Sequence, residues 1–465
     1  MLETGHYDII NSEEQNNMER LIDARIDKWI KESDKALLIY GARQIGKTYS
    51  IREALKRNSE DYFEINFFEN PDFLSAISKC STASQLIDTI RLLSPKPLQK
   101  NNVIFFDEVQ LYPEIVTKIK FLVDEGTYRY ILSGSMLGVE LKGLKSMPVG
   151  YVEMIKMYPM DLYEFSRALG VKKETWEYLR LCFKEKKQVQ EVIHKDMMRV
   201  FRYYLVTGGM PDAIKTFVQT KNLNSVYEFQ TNIINQYKAD FSKYELQNRK
   251  LKLIAIYDNI PSQLNKQNNR FIFTYLNKEL KFDRYENSFL WLKDAGVALP
   301  IYIANQLQSP LETSKEKNVF KLFLSDVGLL TSTFPLSIRR TIASEDDNEV
   351  NKGSLYEAFV AEELFAHDFV PYYYKSTKIG EIDFLLELER NILAMEIKSG
   401  KEYQKHKSLD NLINTQKDDK MRYIVFSNYN IESNNQITNY PIYMVDFLKK
   451  PFFEDGHISI DIGAL

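Results

Sequence analysis

Ala36-Leu37-Leu38-Ile39-Tyr40-Gly41-Ala42-Arg43-Gln44-Ile45-Gly46-Lys47-Thr48 is the stretch that decides how the N-terminal part of this chain folds. Its last eight residues fit the phosphate-loop pattern G-x-x-x-x-G-K-[ST]. The continuous apolar run from Ala36 to Tyr40 predicts a parallel strand buried on both faces. Tyr49 to Arg57 contains neither proline nor glycine and reads as a helix. Strand, glycine loop and helix in that order wrap backbone N–H groups around a β-phosphate at the positive end of a helix. All eight residues from Gly41 through Ala42, Arg43, Gln44, Ile45 and Gly46 to Thr48 are therefore expected to bind nucleotide. Lys47 would reach the β- and γ-phosphates, and Thr48 would offer its hydroxyl to Mg²⁺.

Working outward, Leu21, Ile22, Ile26, Trp29 and Ile30 repeat with helical spacing before the first strand. A second strand is expected over residues 61–68. The third, Asn102 to Glu108, places four apolar residues before two carboxylates. This is a Walker B arrangement, in which a buried strand delivers Asp107 to the Mg²⁺ shell. Glu108 then faces an attacking water as general base. A fourth strand, Tyr128 to Leu132, runs into Ser133-Gly134-Ser135. In ATPases with an extra strand between the two Walker strands, a polar residue here senses the γ-phosphate; Ser133 is the candidate and Ser135 the alternative.

The chain has 465 residues, too many for a single core. The expected division is a polar tail (1–17), an ATPase domain (18–168), a helical lid with a winged helix (169–310) and a C-terminal α/β domain (311–465). A net charge of −3 gives no global attraction for polyanions, so nucleic-acid binding would need local basic patches. Two distant cysteines and five scattered histidines argue against a disulfide framework, a zinc finger or a histidine-based metal cage. No apolar run is long enough to cross a membrane and the N-terminus lacks a signal-peptide pattern, so a cytoplasmic protein is expected.

The Gly41–Thr48 loop and Ser133-Gly134-Ser135 resemble those of AAA-type ATPases fused to a conserved domain of unknown function, DUF4143. The likeness extends through Met157-Tyr-Pro-Met-Asp-Leu-Tyr-Glu-Phe165, Gly208-Gly209-Met210-Pro211, Tyr237 to Tyr244 and Lys321-Leu-Phe-Leu-Ser-Asp326-Val-Gly-Leu-Leu330. It spans roughly residues 18 to 430. It implies a parallel sheet with helices on both faces, ATP and Mg²⁺ as cofactors, and ATP hydrolysis. Many members have an arginine after a Pro-x-Gly element, a finger or sensor. Here that position is Tyr151, so the role does not transfer; Arg43 is the arginine nearest the phosphates, with an ion pair to a neighbouring element as its alternative role. ATPases of this kind often form rings, which makes a homo-oligomer a further expectation.

In the middle region, Leu251 to Tyr257, a short helix opening at Ile260-Pro261-Ser262, and Arg284 to Ala295 read as three helices. The strand-like run Val297 to Ile303 follows. Three helices and a wing describe a winged helix whose third helix could enter a DNA groove. Lys266, Arg270, Lys278, Lys281 and Arg284 supply positive charge, diluted by Asp283, Glu286 and Asp294.

Toward the C-terminus, Gly353 to Leu364 predicts a helix carrying Glu357. Gly380 to Glu387 and Asn391 to Lys398 then predict an antiparallel hairpin. Period two sets Glu396 and Lys398 on one face and brings Asp383 opposite Glu396. Asp383, Glu396 and the Ile397 carbonyl would hold Mg²⁺, with Glu357 completing the shell and Lys398 steadying the charge of a phosphodiester under attack. The order resembles the PD-(D/E)xK nuclease superfamily, without its leading proline, and implies a restriction-endonuclease-like fold. Gln416 is a further candidate phosphate contact. The leading expectation is thus an ATPase coupled to winged-helix and nuclease-like domains acting on DNA. The alternative is an ATP-operated switch or assembly protein whose C-terminal domain is only a binding surface.

Overall fold

The computed structural model describes residues 18–135, 148, 150–241, 247–264, 271–272, 285–344, 351–388, 391–416, 420–434 and 436–449. The N-terminal sheet contains β1 (Ala36–Gly41), β2 (Tyr62–Asn66), β3 (Val103–Asp107), β4 (Arg129–Ser135) and β5 (Val152–Lys156), ordered β2-β3-β4-β1-β5. Every pairing is parallel. β4 separates the strands carrying the phosphate loop and the paired carboxylates, as the sequence predicts.

Helices cover both faces of this sheet, which is why β3 is apolar without alternation and all five of its residues are buried. Alternate side chains of β1 nevertheless serve different cores. Ala36 and Leu38 pack with Phe67, Phe106 and Tyr130 in a cluster confined to the ATPase region. Leu37 and Ile39 face a second core that runs on through Phe201 and Leu330 to Phe359 and Tyr443. That core also takes Ile22, Ile26, Trp29 and Ile30, the buried stripe of the first helix, Leu21–Glu32.

The middle region is helical, with Lys173–Glu185, Glu191–Thr207, Pro211–Thr220 and Leu223–Phe241 among its described early members. Thr207 to Pro211 forms the predicted tight break. A Cβ on Gly209 would lie 2.1 Å from the Met160 carbonyl oxygen, so no side chain fits there. The Gly209 N–H donates to Asp326 Oδ2 (2.6 Å) and the Leu329 N–H to Asp326 Oδ1 (2.7 Å). Two motifs that the sequence ties together only through family likeness therefore meet at one fully buried carboxyl.

Burial lifts the Asp326 carboxyl to about 6, against the opposing pull of backbone N–H groups at Leu329, Gly209, Gly328 and Met210. The folded value lies above the unfolded one near 3.9. The stabilisation it carries is therefore complete below about pH 4 and lost as the pH rises through 6. In urea unfolding, the stability advantage of the natural protein over Asp326→Asn is expected to shrink by about 3 kcal/mol between pH 4 and pH 7. An advantage that grew with pH would mean that the four N–H donors outweigh burial.

Two expectations for the middle region change. Leu251–Tyr257 and the segment opening at Ile260 are one helix, Gln247–Leu264, with Pro261 inside its last turn. Pro261 has no N–H for the carbonyl four residues back, so the helix runs on with one hydrogen bond fewer. The run expected as a wing is a strand, but of another sheet. Lys266, Arg270, Lys278, Lys281, Asp283 and Arg284 lie outside the described residues.

That sheet is mixed and has eight strands: β6 (Ala298–Ala304), β7 (Lys315–Leu324), β8 (Tyr372–Ser376), β9 (Gly380–Leu388), β10 (Asn391–Lys398), β11 (Met421–Ser427), β12 (Glu432–Asn434) and β13 (Ile437–Pro441). Its order is β12-β13-β11-β10-β9-β8-β6-β7. β6 pairs antiparallel with β7 and parallel with β8, so the strand expected as a wing is continuous with this sheet. β9 and β10 form the predicted antiparallel hairpin, with Leu388 opposite Asn391 and Phe384 opposite Met395. One further step of that register sets Asp383 beside Glu396. The helix Gly353–Ala366 packs against this sheet and is buried along nearly all of its length.

Candidate functional site

The phosphate loop closes β1 and opens the helix Lys47–Arg57. Gly46 caps that helix with φ 92°, a left-handed conformation that glycine adopts without penalty. The loop is braced from below by Arg20, whose guanidinium donates to the Ile45 carbonyl (2.7 Å) and the Tyr158 carbonyl (3.0 Å) and pairs with Glu164 (3.0 Å). Lys47 is buried and its ammonium donates to the Ala42 carbonyl at 2.7 Å. Burial lowers its pKa to about 8, although Glu108 and Asp107 pull the other way.

The Thr48 hydroxyl donates to Asp107 Oδ2 at 3.0 Å. Asn66 Nδ2 donates to the same oxygen at 3.1 Å, while its own carbonyl accepts from the Phe68 and Glu69 N–H groups. Burial, followed by the Glu108 charge, raises Asp107 to about 6; the Ser133 and Thr48 hydroxyls oppose this. A hydroxyl and a carboxylate joined in this way are hard oxygen donors suited to Mg²⁺, so the residues present fit the ion that the loop implies.

Glu108 has φ 57°, a left-handed backbone for a residue with a side chain. Such a conformation costs about 1–3 kcal/mol and is concentrated at functional sites. Its carboxylate accepts from Gln110 Nε2, and Gln110 Oε1 in turn accepts from the Ser135 N–H (3.1 Å). Gln110 had no part in the sequence reading; its spacing of two from Glu108 was the available signal. Ser133 lies buried beside Asp107, whereas Ser135 reaches the cavity wall.

Lys47, Thr48, Glu108 and Ser135 line a cavity of about 580 Å³. Lys215 and Gln236 from the middle helices line it from the other side. Arg43 points out of the loop to Asp240 on the helix Leu223–Phe241 (2.8 Å) and to the Ser135 hydroxyl (3.2 Å). The Tyr237 hydroxyl donates to the Arg43 carbonyl (3.1 Å), and Gln44 Nε2 donates to Gln236 Oε1. Arg43 makes the ion pair to a neighbouring element and also lines the cavity beside Lys47. Tyr151 stands far from all of this. Its carbonyl accepts from the Ala36 N–H, at the opposite end of β1 from the loop, about 17 Å away at 3.3 Å per residue.

The C-terminal candidates come together differently from the expected metal shell. Lys321, in β7 and fully buried, places its ammonium 2.9 Å from Glu357, 2.9 Å from Glu381 and 3.9 Å from Asp383. Asp383 Oδ2 also accepts from the Ile397 N–H (2.9 Å). Glu396 pairs with Lys398 at 2.8 Å and accepts from the Leu409 N–H. Burial raises Glu357 to about 7, and Lys321 works against that shift. The sequence reading missed Lys321, whose signal was a lysine set within the apolar run Phe320 to Leu324. Gln416 lines a separate cavity with Tyr374 and Lys420.

The parallel five-stranded sheet, the glycine loop and the Thr48–Asp107 pair define a P-loop ATPase domain of the AAA type. Residues 33–166 match the family model described as an AAA domain, and residues 352–445 match a domain of unknown function, DUF4143. Between them, residues 198–339 match another domain of unknown function, DUF8612. The chain thus carries an AAA domain followed by a DUF4143 domain. Similar solved structures include a Walker-type ATPase of Pyrococcus abyssi, at 15% identity over 68% of this chain and 96% of that one, with a TM-score of 0.43. Another is Cdc6p of Pyrobaculum aerophilum, at 12% identity over 72% and 99%, with a TM-score of 0.27. A RuvB variant of Thermotoga maritima is similar at 12% identity over 65% and 91%, also with a TM-score of 0.27. No curated protein matches the chain in sequence. Among the described residues no helix is long and apolar enough to cross a membrane.

Proposed function

We propose that the chain is a Mg²⁺-dependent ATPase working as a nucleotide-operated switch or assembly protein, with its C-terminal domain as a binding surface. The observation that carries this reading is the Thr48–Asp107 hydrogen bond on the same cavity as Lys47 and Glu108. The loop N–H groups and Lys47 would hold the phosphates, and Thr48 and Asp107 would hold Mg²⁺. When bound, that ion screens phosphate charge. Glu108 takes a proton from the water that attacks the γ-phosphorus, the bond to the β–γ bridging oxygen breaks, and ADP and phosphate are released. Arg43, Gln44 and Tyr237 join the loop to the helix Leu223–Phe241, which gives nucleotide state a route to the rest of the chain.

The Lys321 ammonium, held 2.9 Å from both Glu357 and Glu381 and 3.9 Å from Asp383, takes the place among these carboxylates that a metal ion would need, which favours the binding-surface reading over DNA cleavage. The buried, unpaired Cys80 and Cys182 suit a reducing cytoplasm. ATP turnover measured with Mg²⁺ is expected to vanish in Lys47→Ala. Supercoiled, linear and single-stranded DNA should stay intact with Mg²⁺ or Mn²⁺. Cleavage that is lost in Lys398→Ala but kept in Lys47→Ala would replace this reading with the nuclease one.

A further inference from the structure

Asp161, Glu363, His367 and Asp446 form a second constellation, whose ligand-type atoms all lie within 4.8 Å of one another. Asp161 opens the helix Leu162–Ala168, just past the last strand of the ATPase sheet. Glu363 and His367, four residues apart, come from the end of the helix Gly353–Ala366, and Asp446 from the short helical turn Ile442–Phe447. The cluster therefore sits where the ATPase region meets the C-terminal region.

Its outer contacts aim the donors inward. Asp161 Oδ1 accepts from the Glu164 N–H (2.8 Å), which leaves Oδ2 toward the cluster, 3.2 Å from His367 Nε2. Glu363 Oε1 accepts from the Leu162 N–H (2.8 Å), while Glu363 Oε2, fully buried, has no hydrogen-bond partner. Both oxygens of Asp446 are likewise buried without a hydrogen bond. Asp446 Oδ1 is 3.7 Å from His367 Nε2, and Oδ2 is 3.7 Å from the Lys449 ammonium. His367 Nδ1 faces the Leu448 carbonyl at 3.0 Å. A carbonyl only accepts, so Nδ1 carries a hydrogen and Nε2 is the nitrogen presented to the cluster, the tautomer arrangement that surrounds metal-bound histidines.

We propose that these four residues bind a first-row divalent cation that clamps the ATPase region to the C-terminal region. With all three carboxylates ionised beside Lys449, two negative charges would remain, which a divalent ion balances with a neutral imidazole. Three oxygen donors and one imidazole suit Mn²⁺ or Zn²⁺, and the burial of all four side chains makes this a closed, structural site. Without an ion, three carboxylates would share a buried space in which two of them lack hydrogen bonds they could have made in water.

The test uses the full chain, stripped with a chelator and reloaded with Mn²⁺ alone, without nucleotide. It is expected to hold an ion whose pulsed EPR spectrum shows coupling to an imidazole nitrogen. That coupling separates this ion from Mn²⁺ held by the oxygens of Thr48 and Asp107. His367→Gln is expected to remove the coupling, and Asp446→Asn to weaken binding at least about 10–100-fold, with the circular dichroism of both variants unchanged. Absence of a nitrogen-coupled ion in the natural sequence would overturn the proposal whatever the variants do. So would coupling that persists in His367→Gln.

Discussion

Glu108→Gln is expected to lower ATP turnover by about 10²–10⁴-fold while leaving ATP affinity nearly unchanged. Gln110 donates to the carboxylate and is itself oriented by the Ser135 N–H, so the side chain at 108 is held in place from the strand next door. Glutamine keeps the length and shape that this brace supports but cannot accept a proton. Its amide N–H₂ would also face the Gln110 donor, which forces a flip and leaves no basic atom toward the cavity. The rate should therefore fall and binding should not. Steady-state hydrolysis together with equilibrium nucleotide titration separates the two. Turnover within a few-fold of the natural protein would remove Glu108 from the role of base.

Lys321→Met is expected to destabilise the fold by about 3–5 kcal/mol, read as a shift in denaturant unfolding. The ammonium is fully buried, contacts Glu357 and Glu381, and lies over the Tyr373 ring. Methionine keeps most of the volume, so packing is not what is lost. What remains is a set of carboxylates facing one another without the central cation. Adding Glu357→Gln to Lys321→Met should recover part of the loss, since a neutral amide repels neither Glu381 nor Asp383. A loss below about 1 kcal/mol would mean that Lys321 is not the keystone of the cluster.

How much of this was legible beforehand differed along the chain for physical reasons. The nucleotide site was nearly complete in the sequence because its parts are local: a buried strand, a glycine loop, and two carboxylates at a strand end. The hairpin of β9 and β10 was legible for the same reason, since period two and a short turn fix its register. The strand Ala298–Ala304 was visible as a strand, but its partners were not. An apolar run states that both faces are covered without stating by what. Lys321, Asp326 and the Asp161–His367 contact join residues far apart in sequence, and no spacing rule reaches across such distances.

The split loyalty of β1 bears on how such a chain can be rearranged over evolutionary time. Ala36 and Leu38 serve a core the ATPase region keeps to itself, while Leu37 and Ile39 serve one shared with residues hundreds of positions later. An ATPase segment transplanted into another protein would carry one finished face and one raw apolar face. Its new host would have to supply a matching helical surface at once. Recombination at the ends of the AAA domain would therefore carry the cost of that exposed apolar face.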